Sequence, residues 1–263
     1  LSRIPIIIPF YQERQKLECC LAHLHAQSHG DTEIFVRDNT RDNIYFTAAV
    51  NEGLRKFCYD PAIQYVMILN QDAYLQPSAL QMLCNFLDRN PDSGIAAPLQ
   101  LTPQSLVTWG GSLRGFPTGT HKCDPVESYD RPVETYWANG AAMMIRTEVV
   151  REVGLWDRNL RFVCSDQDFS LSARARGWKV HVVPEARCAH ELSTTGDIAN
   201  LEIELIKLKD IVYFGRKWLS GDLYRALSFE GSSLTALSVR LEIEKLQNTV
   251  AKLERMPTMN TRL

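Results

Sequence analysis

No Cys-x-x-Cys pair occurs in the chain, although it holds seven cysteines, at positions 19, 20, 58, 84, 123, 164 and 188. The one close pair is adjacent, which suits neither a zinc ribbon nor a thioredoxin-type redox site. Reduced, partly buried thiols in a cytosolic protein are expected instead. Long apolar runs are missing too. The longest, Ile4–Phe10 and Tyr65–Leu69, fall far short of the roughly 18 residues that a membrane-spanning helix needs. No basic stretch leading into an apolar run and a small-residue cleavage site opens the chain, so there is no recognisable secretory signal. An excess of one charge is absent: 29 Lys or Arg face 31 Asp or Glu, a formal net charge of -2 over 263 residues. That balance excludes a globally basic nucleic-acid binder. With 45% hydrophobic and 23% charged residues, the chain is no extended disordered polymer either. There is no internal repeat. Neither G-x-G-x-x-G nor G-x-x-x-x-G-K-[ST] occurs, so a nucleotide enzyme of this sequence would need a metal, not backbone amides, to hold a diphosphate. The chain opens on Leu1 and not Met, and is expected to be one module of something longer.

What is present is alternation. Ile4–Pro9 is a β-branched run whose prolines predict a strand ending at a loop. Residues 13–27 have a helical pattern with Leu17, Cys20, Leu21 and Leu24 on one face. Strands are predicted at Glu33–Arg37, Ile63–Leu69, Ile95–Pro98, Ala141–Ile145 and Val180–Val183. Helices are predicted at Thr47–Cys58, from Pro77 through Leu87, at Thr147–Val153 and at Asp166–Arg176. Such alternation implies a parallel sheet with helices on both faces. Residues 99–135, rich in Gly, Pro and Thr, read as a long loop or hairpin region beside the active site. Beyond Asp197 helix formers take over, with Leu201, Leu205, Leu208, Ile211 and Val212 as one stripe. Residues 205–225 carry five Lys or Arg against two Asp. This stretch is either a peripheral contact with an anionic membrane surface or a solvated face packed on the domain. Val239, Ile243, Leu246, Val250 and Leu253 follow heptad spacing, which fits a short dimerisation helix and a helix packed on its own domain equally well.

A parallel sheet binds its ligand beyond the carboxyl ends of its strands. Polar residues follow those ends: Asp38-Asn39, Asn70-Gln71-Asp72, and the segment from Pro184 to His190. Asp72 either ligates Mg2+ or Mn2+, which take one or two protein oxygens beside phosphate and water, or caps the next helix. Asp166 and Asp168 precede a helix, and each reads as a cap or as a general base toward an alcohol. His190 offers a ring nitrogen to a metal.

In order along the chain, these segments resemble family 2 of the glycosyltransferases. Ile6-Ile7-Ile8-Pro9-Phe10-Tyr11-Gln12-Glu13 is similar to its opening strand and "P-x-Y/F-N-E" loop, with Gln12 for the usual Asn. Val36–Asp42 resembles "V-D-N-x-S-x-D", and Ala48–Gly53 resembles the "A-x-N-x-G" turn. Asn70-Gln71-Asp72 stands where the family has a DxD-type motif, with Asn70 for the first Asp. Asn139–Arg146 resembles "G-A-x-M-L-I-R", Val153–Asp157 "V-G-G-F-D", and Ser165–Leu171 "E-D-x-D-L-x-L", with Ser165 for the Glu. Lys209–Lys217 is similar to the C-terminal "R-N-x-x-Y-F-x-R-K" helix.

The resemblance implies a GT-A α/β fold over residues 1–218: a mostly parallel sheet flanked by helices, with a Rossmann-like nucleotide half and an acceptor half. Residues 219–263 then form a helical extension for dimerisation or linkage. It implies an inverting, metal-dependent hexosyltransferase that moves a sugar from a nucleotide-diphosphate donor, of dTDP-rhamnose or UDP-hexose type. The acceptor is a hydroxyl of a glycan or lipid-linked saccharide, in cell-surface polysaccharide synthesis at the cytoplasmic face of the membrane. Asp166 is the expected base, and Asp72 and His190 hold Mg2+ or Mn2+. Pro9, Phe10, Tyr11, Glu13, Asp38, Asn51, Asn70 and Gln71 are expected at the nucleotide, and Trp137, Asn139, Gly140 and Asp168 at the acceptor. A non-catalytic nucleotide- or carbohydrate-binding domain is the alternative, since Asn70 and Ser165 each replace a carboxylate. A nucleotidyltransferase is a further one, although Pro9–Glu13 lacks its glycine-rich basic loop.

Overall fold

A computed structural model describes residues 3–113, 120–190, 201–218 and 236–255. A mixed sheet runs through its centre in the order β2-β1-β3-β10-β5-β11-β4. In chain order its principal strands are β1 (Ile4–Phe10), β2 (Thr32–Asp38), β3 (Tyr65–Leu69), β4 (Tyr74–Leu75), β5 (Ser93–Leu101), β10 (Ala142–Arg146) and β11 (Lys179–Ala189). Short β6 (Val107–Trp109) pairs with β5, β9 (Val133–Glu134) pairs with β11, and β7 (Ser112–Leu113) pairs with β8 (Thr120–His121) as a separate hairpin. The tip of that hairpin, 114–119, lies outside the described residues.

The period-two pattern of the buried strands divides the core. Ile4, Ile6 and Ile8 of β1 and Tyr65, Met67 and Leu69 of β3 face one side. There they meet Leu17, Cys20 and Leu24 of α1 (Arg14–His25) and Leu80, Leu83 and Leu87 of α3 (Ala79–Arg89). Ile7, Val66 and Ile68 face the other side, against Val50, Leu54 and Phe57 of α2 (Tyr45–Phe57). Val149 of α4 (Thr147–Val153) and Phe169 of α5 (Ser165–Arg174) complete that layer. The result is the layered α/β architecture that the alternation predicts.

Besides the short antiparallel edge strands β4, β6 and β9, two features depart from the expected mostly parallel sheet. β10 is antiparallel to both β3 and β5. It is reached from the hairpins of residues 102–135 without a helical crossover, so it enters from the carboxyl edge of its neighbours and runs back. β11 continues past Pro184, where the sequence suggests a loop, as far as Ala189. Its pairing with β5 slips between Val183 and Arg187, a bulge in which Pro184 has no N–H to give to the ladder. Both departures place residues at the same edge of the sheet: β10 its amino end, β11 its extended carboxyl end.

The helix α6 (Leu201–Trp218) packs on the domain through Phe214 and Trp218, with Ile211 beside them; of the expected stripe Val212 is buried and Leu201 exposed. Lys217 pairs with Asp157 and Asp168, and the exposed Lys209 with Glu254. α7 (Ala236–Glu254) lies against α6 and buries Ile243, so the heptad face is used within the chain. Its first heptad side chain, Val239, and the connecting residues 219–235 lie outside the described residues. All seven cysteines are free, and five of them are buried.

Candidate active site

At the carboxyl edge of the sheet lies an open cavity of about 610 Å³. The turn after β1 forms one wall. Gln12 and Glu13 both adopt left-handed backbone, with φ of 55° and 47°, a conformation that non-glycine residues rarely hold without support. Gln71 supplies that support. Its Oε1 accepts from the Tyr11 N–H at 2.7 Å, and its Nε2 donates to the carbonyls of Tyr11 and Gln12, each at 3.3 Å. Gln71 therefore shapes the wall that Pro9, Tyr11 and Glu13 line, its own amide being committed to the backbone. The Phe10 side chain points into the core and is no part of the cavity.

Asp72 sits on the floor, 3.6 Å from Nε2 of the buried His190. Burial pushes the Asp72 carboxyl up, but the His190 ring and Lys16 more than offset this and hold it below the usual carboxylate range. Neither ring nitrogen of His190 has a hydrogen-bond partner among the described residues. A buried imidazole with both nitrogens unsatisfied, beside an ionised carboxylate, is a donor set for one divalent cation. Two protein ligands leave the remaining positions to phosphate and water, as Mg2+ and Mn2+ prefer. No group of three or more acidic, His or Cys side chains suited to a metal occurs among the described residues. Asn70 lines the same floor, its N–H bonded to the Ala141 carbonyl at 2.8 Å.

Across the cavity stands Asp166, in the first turn of α5. Its Oδ2 accepts the Gly140 N–H and its Oδ1 the Gln167 N–H, both at 2.8 Å. Burial nevertheless raises its pKa, since these bonds and nearby His121 only partly offset desolvation. Cys164, the residue just before α5, is left-handed at φ 64°, a sharp turn at the start of the helix beside the cavity. Gly140 permits the contact: a Cβ there would lie 3.2 Å from Asp166 Cβ. Asn139 closes a tight turn onto the Ala141 N–H at 2.8 Å, and Trp137 lines the cavity beside it.

Besides Phe10 and His190, three expected residues stand outside the cavity lining. Asn51 is buried, and its side-chain amide bonds the Trp156 carbonyl at 2.8 Å and the Trp156 N–H at 2.9 Å, tying α2 to the turn after α4. Asp168, one helical step round from Asp166, faces away. It accepts from Lys217 Nζ at 2.9 Å and Trp218 Nε1 at 2.8 Å, and so latches α6 to α5. Asp38 is exposed at the rim, its Oδ1 accepting from the Thr40 N–H at 2.8 Å, while its neighbour Asn39 lines the cavity.

The structure adds residues that sequence reasoning missed. His121 lines the cavity from β8, in a segment without periodicity to reveal it. α6 contributes Ile203, Lys207 and Ile211, spaced by four, a second face hidden under the apolar stripe. Its Asp210 accepts from the N–H groups of Phe162 at 2.7 Å and Val163 at 3.0 Å, which fixes the wall before Asp166.

Comparison with known proteins bears on the family and the fold. The family model described as "Glycosyl transferase family group 2" matches residues 65–241. No curated protein matches. Among solved structures the chain is similar to a crystal structure of GalNAc-T7 with UDP, GalNAc and Mn2+, at a TM-score of 0.59 and 14% identity. The match covers 96% of this chain and 57% of that one, so the chain spans little more than half of its neighbour's length. At that identity the likeness is one of fold, and the fold is GT-A. By the extent of the family match, the chain belongs to glycosyl transferase family group 2.

Proposed function

We propose that the chain is an inverting, metal-dependent hexosyltransferase that moves a sugar from a nucleotide-diphosphate donor to a hydroxyl of a glycan or lipid-linked saccharide. One observation carries this reading: Asp166 and Asp72 line one cavity from different elements, with the buried His190 ring 3.6 Å from Asp72. An in-line displacement needs a base on one side of the anomeric carbon and charge stabilisation on the other. The GT-A neighbour, crystallised with UDP, GalNAc and Mn2+, supports a nucleotide-sugar donor and a divalent metal.

Asp72 and His190 would hold Mg2+ or Mn2+, which when bound supplies positive charge to the leaving diphosphate. Pro9, Tyr11 and Glu13 form the nucleotide wall, braced by Gln71. Asn39 and Asn70 offer it hydrogen bonds. Asp166 takes the proton of the acceptor hydroxyl as that oxygen attacks the anomeric carbon, and the bond to the nucleoside diphosphate breaks. Its raised pKa makes it a stronger base than an ordinary carboxylate, and two backbone N–H bonds keep it aimed. Trp137, Asn139 and Gly140 lie on that side, where the acceptor approaches.

Transfer, followed as nucleoside diphosphate released over a panel of UDP-hexoses and dTDP-rhamnose, tests the reading. Asp166→Asn should lower kcat by roughly 10³-fold, the scale of general-base catalysis. EDTA should abolish turnover, and Mn2+ or Mg2+ restore it. Unchanged turnover in the Asn variant would remove Asp166 from the base role. A chain that binds donor in Mn2+ without turning it over would instead be the non-catalytic binding domain. No helix among the described residues is long and apolar enough to cross a membrane.

A further inference from the structure

His121 takes no part in the mechanism above, yet it faces the centre of the cavity from β8. Its Nδ1 lies 3.2 Å from the Thr108 carbonyl. A carbonyl only accepts, so Nδ1 carries the proton of that bond. Burial lowers the pKa of the ring, which keeps it neutral and leaves Nε2 as a bare lone pair. The one hydrogen bond of the ring among the described residues is through Nδ1. The ring packs on Trp137, with centroids 5.5 Å apart and planes at 57°. It also lies near enough to Asp166 and His190 to feel the charge of both.

That position decides what it can touch. In a displacement between a base at Asp166 and a diphosphate held near His190, the transferred sugar ring must lie between the two. His121, near enough to Asp166 and His190 to feel their charge, and Trp137 line that cavity in contact with each other. An indole surface covers sugar C–H groups, and a fixed acceptor takes one hydroxyl proton, which is how a largely apolar pocket fixes a polar ligand. A site built to bond one hydroxyl also discriminates strongly against analogues that lack it.

We infer that His121 is a specificity-determining residue whose Nε2 accepts a hydrogen bond from one hydroxyl of the donor sugar, with Trp137 as the apolar platform. This rests on the nucleotide-sugar reading.

The test is calorimetric binding in Mn2+ without acceptor. The ligands are the member of a UDP-hexose and dTDP-rhamnose panel that wild type binds tightest, and its free nucleoside diphosphate. His121→Phe keeps a ring against Trp137 and removes the acceptor. It should weaken the sugar nucleotide roughly tenfold, the scale of one hydrogen bond, and leave the free diphosphate within about twofold. His121→Gln, whose amide oxygen reaches near the Nε2 position, should recover part of the loss. On the unaltered protein, donors deoxygenated at each position in turn should reveal one hydroxyl whose removal weakens binding by a similar factor. Equal binding by His121→Phe, equal weakening of both ligands, or indifference to every deoxygenation overturns the inference. So does a wild type that binds the diphosphate but none of the sugar nucleotides. A wild type that binds neither overturns the nucleotide-sugar reading itself, and this inference with it.

Discussion

Gly140→Ala isolates the placement of the base from its chemistry. Gly140 gives its N–H to Asp166 at 2.8 Å and has an ordinary backbone φ, so alanine meets no conformational penalty there. The added Cβ would lie 3.2 Å from Asp166 Cβ, 3.3 Å from its Oδ2 and 3.3 Å from Cζ of the Phe46 ring. Carbon contacts prefer about 3.5–4.0 Å, so Asp166 and Phe46 must each retreat by a few tenths of an ångström. Overpacking of this kind costs about 1–3 kcal/mol. The low end is expected, since Phe46 is only partly buried and can yield, and a loss of ~1 kcal/mol lowers Tm by ~2–4 °C in a domain of this size. The catalytic effect should be the larger one. Reacting groups tolerate displacements of about 0.5 Å, and a misplacement of 1 Å costs on the order of 10²-fold. A roughly tenfold fall in kcat is expected, with donor KM within about twofold, because the metal side is untouched. Gly30→Ala is the control, as its added Cβ would meet nothing within 4 Å. Release of nucleoside diphosphate at saturating donor and acceptor measures kcat, and thermal unfolding measures the stability cost. If Gly140→Ala turns over like Gly30→Ala, the Gly140–Asp166 contact does not position the base.

Three further substitutions separate folding from function. Burial raises the Asp166 pKa above its ordinary 3.8, so the folded chain binds that proton more tightly than the unfolded chain does. Above both values the ionised group therefore opposes folding. Asp166→Asn should raise Tm at pH 8, and the gap should narrow as pH falls toward 3.8; a Tm no higher than wild type at pH 8 contradicts this. Asn51→Ala removes two buried hydrogen bonds and should cost roughly 2–4 kcal/mol in urea unfolding, with UDP affinity in Mn2+ unchanged. Full stability with lost UDP affinity would return Asn51 to the nucleotide. Lys217→Met leaves the buried Asp168 carboxylate with Trp218 alone and should cost about 2–4 kcal/mol, with acceptor KM unmoved in the molecules that stay folded. A stable variant with a raised acceptor KM would make Asp168 an acceptor ligand after all.

These residues show what the sequence made legible. Elements announced by period came through: the Ile run of β1, the Leu17–Leu24 stripe of α1 and the buried β3 all form where their patterns place them. Identity and neighbourhood together located Asp72 and Asp166 in the cavity. Direction was not legible. Asp166 and Asp168 stand two residues apart before the same helix, and only the αL turn at Cys164 and the pull of Lys217 separate a cavity carboxylate from a latch. The amides of Asn51 and Gln71 are engaged for a shared reason that spacing does not reveal: an amide seeks partners for both of its ends, and backbone groups from distant segments reach them. His121 had no pattern at all, since a two-residue strand is too short to show a period.

The reversal of β10 explains why the two acidic groups meet. In a wholly parallel sheet, each strand delivers only its carboxyl end to the binding edge. β10 delivers its amino end, so Asn139, Gly140 and Ala141 arrive beside Asn70 and Asp72, tied there by the Asn70–Ala141 backbone bond. Gly140 then reaches Asp166 on α5, which connects the acceptor side to the sheet that carries the metal side. β11 makes the matching adjustment, its bulge at Pro184 carrying the strand on until His190 faces Asp72. From above, α6 holds the wall before Asp166 through Asp210 and is itself latched by Asp168. Of Asp166, Asp168 and Asp210, Asp166 alone lines the cavity, and the other two tie α5, α6 and the wall before Asp166 together.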